Sequence, residues 1–174
     1  MWITKRSRPE SETAVYFICI RVQYPTEEDW GKLRRVLNDL KATKKEKRIM
    51  GSDNLLKLET WVDTSHTVHE DMIRNKVGCM FCGIGIIHDK ASKHKLNKKS
   101  TTESEVVAVS EYVPYKFHMI NIVLGQGYAL QKTFLYQDNE SVIKMEKSGR
   151  NSCAGNSMHI SIRYLFVKNC VDKE

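Results

Sequence analysis

The chain has 174 residues, which is long enough to bury a hydrophobic core and favours one domain or one domain with an appendage. Lys and Arg number 28 against 21 Asp and Glu, so the formal net charge is +7. A basic surface attracts polyanions such as nucleic acid, although many basic proteins bind none. The longest apolar stretches, such as Ala14 to Ile20, are too short to span a bilayer, so we expect no membrane partner.

The five cysteines form an odd set, and the basic N-terminus has no apolar signal-peptide core. They are Cys19, Cys79, Cys82, Cys153 and Cys170. We expect free thiols in an intracellular protein, cytoplasmic or nuclear and not secreted. A C-x-x-C pair can be half of a zinc site, but an odd separation within a strand sends two side chains to opposite faces. Buried core thiols are therefore favoured for Cys79 and Cys82, and surface polar roles for His88 and His94, although these histidines could be ligands.

The first fifty residues are predicted to be helical. Pro9 leads into a short buried helix over Ala14 to Ile20. After a break at Pro25, a second helix has apolar residues three and four apart. These residues are Trp30, Leu33, Val36, Leu37 and Leu40. The basic segment 41–48 is interpreted as a linker or a solvated helix end, with a phosphate-contacting patch as the alternative.

From Leu55 the pattern changes to the alternation of a half-buried strand. Leu56, Leu58, Thr60 and Val62 share one face, and Lys57, Glu59, Trp61 and Asp63 share the other. The segment Val77 to Cys82 is apolar on both faces, which is typical of an interior strand. Gly83 and Gly85 then suit a hairpin turn, and a third strand starts at Ile86.

A helix is predicted to begin within Ser100 to Ser104, because Ser, Thr and Glu are typical of a helix N-terminus. It ends at the glycines of 125–127, and a fourth strand follows over Thr133 to Asp138. A short helix after Asn139 completes the order strand, strand, strand, helix, strand, helix. This order predicts an α/β fold, in which a mixed sheet is joined by crossover helices and preceded by a short helical segment.

Three acidic positions lie at boundaries between these elements: Asp63 after a strand, a glutamate in the first turns of the helix, and Asp138 after another strand. A single Asp at a strand end is usually a turn residue. Their joint placement, however, predicts a site for a hard cation such as Mg²⁺. Two such ions roughly 3.5–4 Å apart can activate water and stabilise the leaving oxygen in phosphodiester cleavage. The lysine-rich segment 90–99 is interpreted as a loop alongside these acids that would hold the strand being cut.

Four segments resemble the ribonuclease H part of copia-type retrotransposon polyproteins. They are Trp61-Val62-Asp63, residues 100–105, residues 136–141 and residues 159–164, which resemble the patterns Y-V-D-A-D, S-S-T-E-A-E-Y, C-D-N-Q-S-A and H-I-D-I-R-Y. Residues 8–43 resemble the helical tail of the family's reverse transcriptase, with R-P, A-V, P, W and L-K-x-T in the same order. The resemblance covers nearly the whole chain. It implies residues 1–50 as the reverse transcriptase tail and 51–174 as a ribonuclease H-like domain.

The resemblance also implies the residues of the site. Asp63 would be the first metal ligand and Asp138 the third, with Glu105 preferred over Glu103 as the second. The metal would be Mg²⁺ or Mn²⁺, and the activity would be cleavage of the RNA strand of an RNA–DNA hybrid. Asn139 would cap the last helix. The residues implied to contact substrate phosphates are Lys93, Lys95, Lys98 and Lys99.

The chain departs from the family pattern at several points. Ser161 replaces an Asp, and the family's last strand and its final helix with a fourth acid have no counterpart before Glu174. The expected domain is thus C-terminally truncated, and another part of a retroelement polyprotein is a possible partner. Tyr136-Gln137-Asp138-Asn139 lacks the second Asp of the Y-x-D-D polymerase turn, so DNA synthesis is not expected. The alternative to a nuclease is an inactive retroelement remnant that at most binds nucleic acid.

Overall fold

The computed structural model describes residues 2–51, 57–64, 75–93 and 101–148, with the backbone alone for 145–148. The helices and strands in the described ranges are α1 (Trp2–Arg6), α2 (Glu12–Cys19), α3 (Glu27–Ala42), β1 (Lys57–Thr64), β2 (Asn75–Phe81), β3 (Ile86–Lys93), α4 (Thr101–Gly125), β4 (Lys132–Tyr136) and α5 (Glu140–Ser148). A single 3₁₀ turn, Pro9–Ser11, precedes α2. Within these ranges, no helix is both long enough and apolar enough to cross a bilayer. The predicted order of three strands, helix, strand and helix is confirmed.

The four strands form one mixed sheet in the order β3-β2-β1-β4. β1 pairs with β2 and β2 with β3 in antiparallel fashion, whereas β1 and β4 are parallel. A parallel neighbour requires a crossover connection, which α4 provides between β3 and β4. The prediction of an α/β fold with a mixed sheet and a helical crossover is therefore confirmed.

One face of the sheet packs on α4 and forms the core. Leu58, Thr60 and Val62 of β1 are buried, and Lys57, Trp61 and Asp63 between them are exposed, as the alternation predicted. The β1 side chains Leu58 and Val62 belong to one apolar cluster with α4. The other members of that cluster are Met80, Cys82, Ala108, Val109, Tyr112 and Val113. The core therefore fixes α4 over β1 and β2, which determines where the N-terminal turns of α4 lie.

The turn between β2 and β3 has the glycine conformation that the sequence predicted. Gly83 and Gly85 have φ values of 79° and 87°, which L residues with side chains adopt only at a cost. A Cβ atom built on Gly85 would also lie 2.2 Å from the carbonyl oxygen of Ile49. This close approach places residues 49–51 against the hairpin, where Gly51 pairs with Ile84.

The N-terminal helices are present as predicted, but their burial differs from the prediction. α2 was expected to be a buried helix, yet its apolar residues from Val15 to Ile18 are only half-buried. α2 packs on α3 and β3 rather than inside the core, which explains this difference. On α3, begun by a capping box between Thr26 and Asp29, Trp30 is 64% exposed and Leu37 is 56% exposed. An apolar repeat predicts which face of a helix is apolar, but it does not predict whether another element buries that face.

The basic segment 41–48 is more than a solvated helix end. Arg48 donates hydrogen bonds to the backbone carbonyls of Ile86 and Arg6, and Arg8 donates to Thr43 at 2.6 Å. These contacts fix the segment between the helical region and the hairpin of β2 and β3. The lysines of the segment, Lys41, Lys44, Lys45 and Lys47, remain exposed.

The thiols of the C-x-x-C pair lie in different surroundings. Cys82 is buried in the core below α4, whereas Cys79 lies between two core-facing residues of β2 and is half-buried. Burial raises the pKa of the Cys79 thiol, and the nearby Asp89 raises it further. His88 Nδ1 lies 2.8 Å from the Tyr112 hydroxyl, so this histidine is packed on α4 rather than free at the surface. The prediction of core thiols is confirmed for Cys82; His94, Cys153 and Cys170 lie outside the described residues.

Two carboxyl groups, one buried and one half-buried, join the helical segment to the sheet. Glu12 of α2 accepts a hydrogen bond from the backbone N–H of Ala91 at 3.1 Å, and it faces Asp89 of β3. Lys5 bonds the Glu12 carboxylate and also donates to the backbone carbonyl of Asp89 at 2.9 Å. Glu12 Oε2 and Asp89 Oδ2 are buried without a hydrogen-bond donor in the described structure. A proton on one of the two carboxyls would let it donate a hydrogen bond to the other.

The Asp89 carboxyl retains this proton to an unusually high pH. Burial, the hydrogen bond to Glu12 and the charge of Glu12 raise the pKa of Asp89 to about 6, against the opposing effects of Lys5 and Arg48. Burial raises the pKa of Glu12, but its hydrogen bonds to Asp89, Lys5 and Ala91 outweigh this effect and lower it. The proton of the pair is therefore assigned to Asp89.

Raising the pH through about 6 should destabilise the wild-type protein. The raised pKa of Asp89 adds stability that is fully present below the unfolded pKa of 3.8 and is lost as pH rises through the folded value. After allowance for solvent screening, we expect a loss of about 1 kcal/mol between pH 5 and 7.5. Asp89→Asn mimics the protonated carboxyl and should remove this loss, as measured by urea unfolding at both pH values. Asp39→Asn, at an exposed position of α3, should keep the wild-type pH dependence, and an unchanged dependence in Asp89→Asn would contradict the assignment.

Candidate metal centre

Three carboxylates from three different elements converge at one edge of the sheet. Asp63, Glu105 and Asp138 each offer an oxygen atom, and these oxygens all lie within 4.8 Å of one another. Asp63 and Asp138 are exposed, whereas Glu105 is 5% exposed. The cluster thus has two exposed carboxylates, Asp63 and Asp138, and one buried carboxylate, Glu105.

The parallel pairing of β1 with β4 brings the two aspartates together. Trp61 pairs in register with Tyr136, and each aspartate lies two residues beyond its member of this pair. Parallel strands end at the same edge of a sheet, so Asp63 and Asp138 meet there. α4 begins at the same edge and supplies Glu105 from its second turn.

Two side chains hold Glu105 in place. Thr64 Oγ1 donates a hydrogen bond to Glu105 Oε1, and Gln137 Nε2 donates to Glu105 Oε2 at 3.0 Å. Burial raises the pKa of Glu105; the hydrogen bonds from Thr64 and Gln137 lower it, and the charges of Asp63 and Asp138 raise it again. The balance is a raised pKa, so a proton or a cation is needed to offset the clustered negative charge.

Gln137 also shapes the loop that carries Asp138. Its Oε1 accepts a hydrogen bond from the backbone N–H of Asp138 at 2.8 Å, while its Nε2 bonds Glu105. The next residue, Asn139, caps α5 by accepting bonds from the N–H groups of Ser141 at 3.0 Å and Val142 at 3.2 Å. The predicted cap at Asn139 is thus confirmed. Asp138 thus lies between Gln137 and Asn139, whose side chains are both held by hydrogen bonds.

The structure places the predicted site residues as follows. Asp63 and Asp138 lie together, and Glu105 rather than Glu103 supplies the third oxygen of the cluster. Of the predicted phosphate-binding lysines, Lys93 is the last residue of β3, and its backbone N–H donates to the Tyr16 hydroxyl at 2.8 Å. The other three, Lys95, Lys98 and Lys99, lie outside the described residues. Their contact with phosphates remains a prediction.

The lysine-rich segment 90–99 was expected to be a loop beside the acids, but its first part is a strand. Residues 90–93 belong to β3. The Lys90 Nζ atom lies 4.4 Å from the centre of the Tyr115 ring and donates to its hydroxyl. Lys90 therefore takes part in packing β3 against α4.

Sequence reasoning did not identify Thr64 and Gln137, the two residues that orient Glu105. Each is a direct chain neighbour of a predicted ligand, since Thr64 follows Asp63 and Gln137 precedes Asp138. Their position at the ends of strands was the available signal. That signal placed both residues near the site but did not show that they bond Glu105. Glu105 is 41 residues from Thr64 and 32 residues from Gln137 along the chain.

The donor set fits a divalent cation with a preference for oxygen. Three carboxylates that share so small a volume repel one another, and the two exposed ones leave room for water or a substrate oxygen. Mg²⁺ and Mn²⁺ bind such oxygen ligands and keep some open positions. Zn²⁺ is a poorer fit, because no Cys or His belongs to this cluster in the described ranges.

The chain is similar at low identity to known proteins that include the two described next. No protein-family model matches the chain. The chain is 25% identical over 170 residues, or 97% of its length, to the retrovirus-related Pol polyprotein from transposon TNT 1-94 of Nicotiana tabacum. It is 29% identical over 105 residues, or 60% of its length, to the uncharacterized mitochondrial protein AtMg00810 of Arabidopsis thaliana. The matched parts span 12% and 44% of these relatives. Nearly the whole of this chain is therefore similar to a part of a retrotransposon Pol polyprotein.

Proposed function

We propose that this chain corresponds to the ribonuclease H-like part of a retrotransposon Pol polyprotein and cleaves the RNA strand of RNA–DNA hybrids with Mg²⁺ or Mn²⁺. The observation that carries the proposal is the cluster of Asp63, Glu105 and Asp138 at one edge of a mixed sheet. Similarity to a transposon Pol polyprotein supports it. The net charge of +7 suits a polyanionic substrate.

Each acidic residue has a distinct part in the proposed reaction. Asp63 and Asp138 are exposed and would hold the metal at the open side of the cluster. Glu105 would hold it from the buried side, oriented by Thr64 and Gln137. A bound divalent metal would lower the pKa of a water molecule and stabilise the departing oxygen. Because both oxygens of Glu105 accept hydrogen bonds from the protein, its carboxylate cannot swing away to act as a mobile base.

The direct test is cleavage of a labelled RNA–DNA hybrid by the purified chain in Mg²⁺ and in Mn²⁺. We expect cleavage that Asp63→Asn lowers by roughly 10²–10³-fold, the size of effect seen when one group that stabilises transition-state charge is removed. Asp39→Asn makes the same charge change on the exposed surface of α3 and should leave the rate unchanged. Binding of the hybrid in EDTA provides a second readout that does not depend on catalysis.

Two results would contradict the proposal. Cleavage that persists in Asp63→Asn would place the activity elsewhere or assign it to a contaminant. Absence of cleavage by folded protein in both metals, with hybrid binding retained, would favour the alternative of a nucleic-acid-binding module without nuclease activity.

A further inference from the structure

The outer face of β1 and β4, opposite the face that packs on α4, has an ordered sequence of side chains. The in-register pairs along it are Lys57 with Lys132, Glu59 with Phe134, and Trp61 with Tyr136, and the aspartates Asp63 and Asp138 follow. Neighbouring side chains in register lie on the same face, and every second residue of a strand returns to it. One strip therefore leads from two lysines, past three aromatic rings, to the acidic cluster.

The aromatic rings of this strip are stacked and accessible. The Trp61 and Tyr136 rings have centroids 4.1 Å apart at 18°, and the Phe134 and Tyr136 centroids are 5.9 Å apart. Trp61 is 48% exposed, and its antiparallel partner on the other side is the small residue Cys79. The hydroxyl of Tyr136 donates to Glu59 at 3.2 Å, which fixes its ring. One side of the Trp61 ring is thus covered by Tyr136, and the other adjoins a small side chain over which a flat ligand can fit.

One end of the strip suits phosphate groups directly, and the other end could approach a phosphate only through a bound cation. Lys57 and Lys132 are exposed neighbours that place two positive charges at one end. Asp63 and Asp138 at the other end can hold a cation. Asp63 lies six positions after Lys57 in β1, a distance of roughly 20 Å, which is long enough for a few nucleotides. Stacked rings beside a pair of lysines are the arrangement of a surface that binds single-stranded nucleic acid, in which every base has a flat face to stack.

We infer that the strip from Lys57 and Lys132 over Trp61 to Asp63 binds an unpaired nucleic-acid strand, with a base stacked on the Trp61 ring. A duplex would bind this strip less well, because its bases are stacked on one another and cannot reach the indole. The inference rests on the proposed function and extends it, since the unpaired strand would be a single-stranded extension of a hybrid whose duplex part lies at the acidic cluster. The stacking itself requires neither cleavage nor a metal.

Trp61 fluorescence provides the test in the full chain. Trp2 and Trp30 are exposed at 75% and 64%, so Trp2→Phe and Trp30→Phe give a protein in which Trp61 is the sole indole. A single-stranded oligodeoxythymidine added in EDTA should quench its emission, and a blunt duplex of equal length should quench it much less. Equal quenching by both would contradict the need for an unpaired base, and no quenching by either would overturn the inference.

Variants of Trp61 distinguish stacking from general attraction. In otherwise wild-type protein, Trp61→Ala should weaken binding of a labelled oligodeoxythymidine by about 5–100-fold, the effect of losing one stacked base. Trp61→Phe keeps a ring on the strand and should bind within about 3-fold of wild type if one aromatic platform suffices. Trp30→Ala, an exposed Trp outside the sheet, should bind as wild type does. Wild-type affinity in Trp61→Ala would overturn the inference, whereas equal losses in Trp61→Ala and Trp61→Phe would assign the effect to the fold.

The salt dependence of binding and the cleavage of the hybrid give two separate readouts. Each of Lys57→Ala and Lys132→Ala should reduce the slope of log affinity against log salt by about 0.7, and Lys44→Ala on the far segment should reduce it less. Trp61-dependent binding is measured in EDTA, and hybrid cleavage is measured separately in Mg²⁺. In wild-type protein, absence of hybrid cleavage with this binding intact would refute the nuclease alone, and cleavage without Trp61-dependent binding would refute the strip alone.

Discussion

Mn²⁺ at 100 times its dissociation constant should raise the thermal midpoint of wild-type protein by roughly 5–10 °C, and the double variant Asp63→Asn/Asp138→Asn should show no such rise. A ligand that binds only the native state at this excess stabilises it by about 2.7 kcal/mol. The two aspartates are the exposed members of the cluster, and Asn offers a neutral oxygen in place of a carboxylate. Thermal unfolding followed by circular dichroism, with and without the ion, measures the effect.

Metal-free buffer should reverse the order of stability of wild type and the double variant Asp63→Asn/Asp138→Asn. Without a cation, Asp63 and Asp138 place negative charge beside the buried Glu105, so neutralising them should leave the protein at least as stable as wild type. The matched control is Glu27→Gln/Asp39→Asn on the exposed surface of α3, which makes the same charge change. It should keep the full rise with Mn²⁺. A rise that persists in the acidic-cluster variant would show that the ion binds elsewhere, and destabilisation of that variant in EDTA would assign the aspartates a structural role.

The strand patterns of β1 and β4 were sufficient to predict two of the three clustered acids. Alternation from Leu58 to Val62 is a local property, because a half-buried strand needs one face in the core whatever lies against it. Asp63 is the penultimate residue of β1 and Asp138 lies two residues beyond β4, and parallel pairing brings these strand ends together. The preference for Glu105 over Glu103 rested on the family pattern, since both acids suit the start of a helix.

The residues around Glu105 could not be predicted in this way. Its partners Thr64 and Gln137 are brought to it by the packing of α4 on β1 and by the β4 pairing, and no local pattern encodes either distance. The same reason explains the error at α2, whose apolar residues cover only part of β3 and remain half-exposed. Local periodicity predicts which face of an element is apolar, whereas burial depends on partners far along the chain.

The contact between Gly78 and Tyr112 shows how strongly such long-range packing constrains a residue. Gly78→Ala should lower the free energy of unfolding by about 2–4 kcal/mol. A Cβ atom on Gly78 would lie 2.2 Å from Cδ2 and 2.3 Å from Cε2 of the Tyr112 ring. That ring is buried, and its hydroxyl lies 2.8 Å from His88 Nδ1, so it cannot move away without losing packing or this hydrogen bond. Urea unfolding measures the loss.

Two further variants separate this clash from the general effect of replacing glycine. Gly31 lies on the exposed surface of α3 with nothing within 4 Å of a Cβ, so Gly31→Ala should stabilise the protein by up to about 1 kcal/mol. Tyr112→Leu removes the ring that a new Cβ would meet. The cost of Gly78→Ala should therefore shrink in the Tyr112→Leu background, as coupled neighbours require. An equal cost in both backgrounds would show that the β2 backbone, rather than the ring, demands glycine. The opposite signs expected for two Gly→Ala changes follow from what each Cβ would meet.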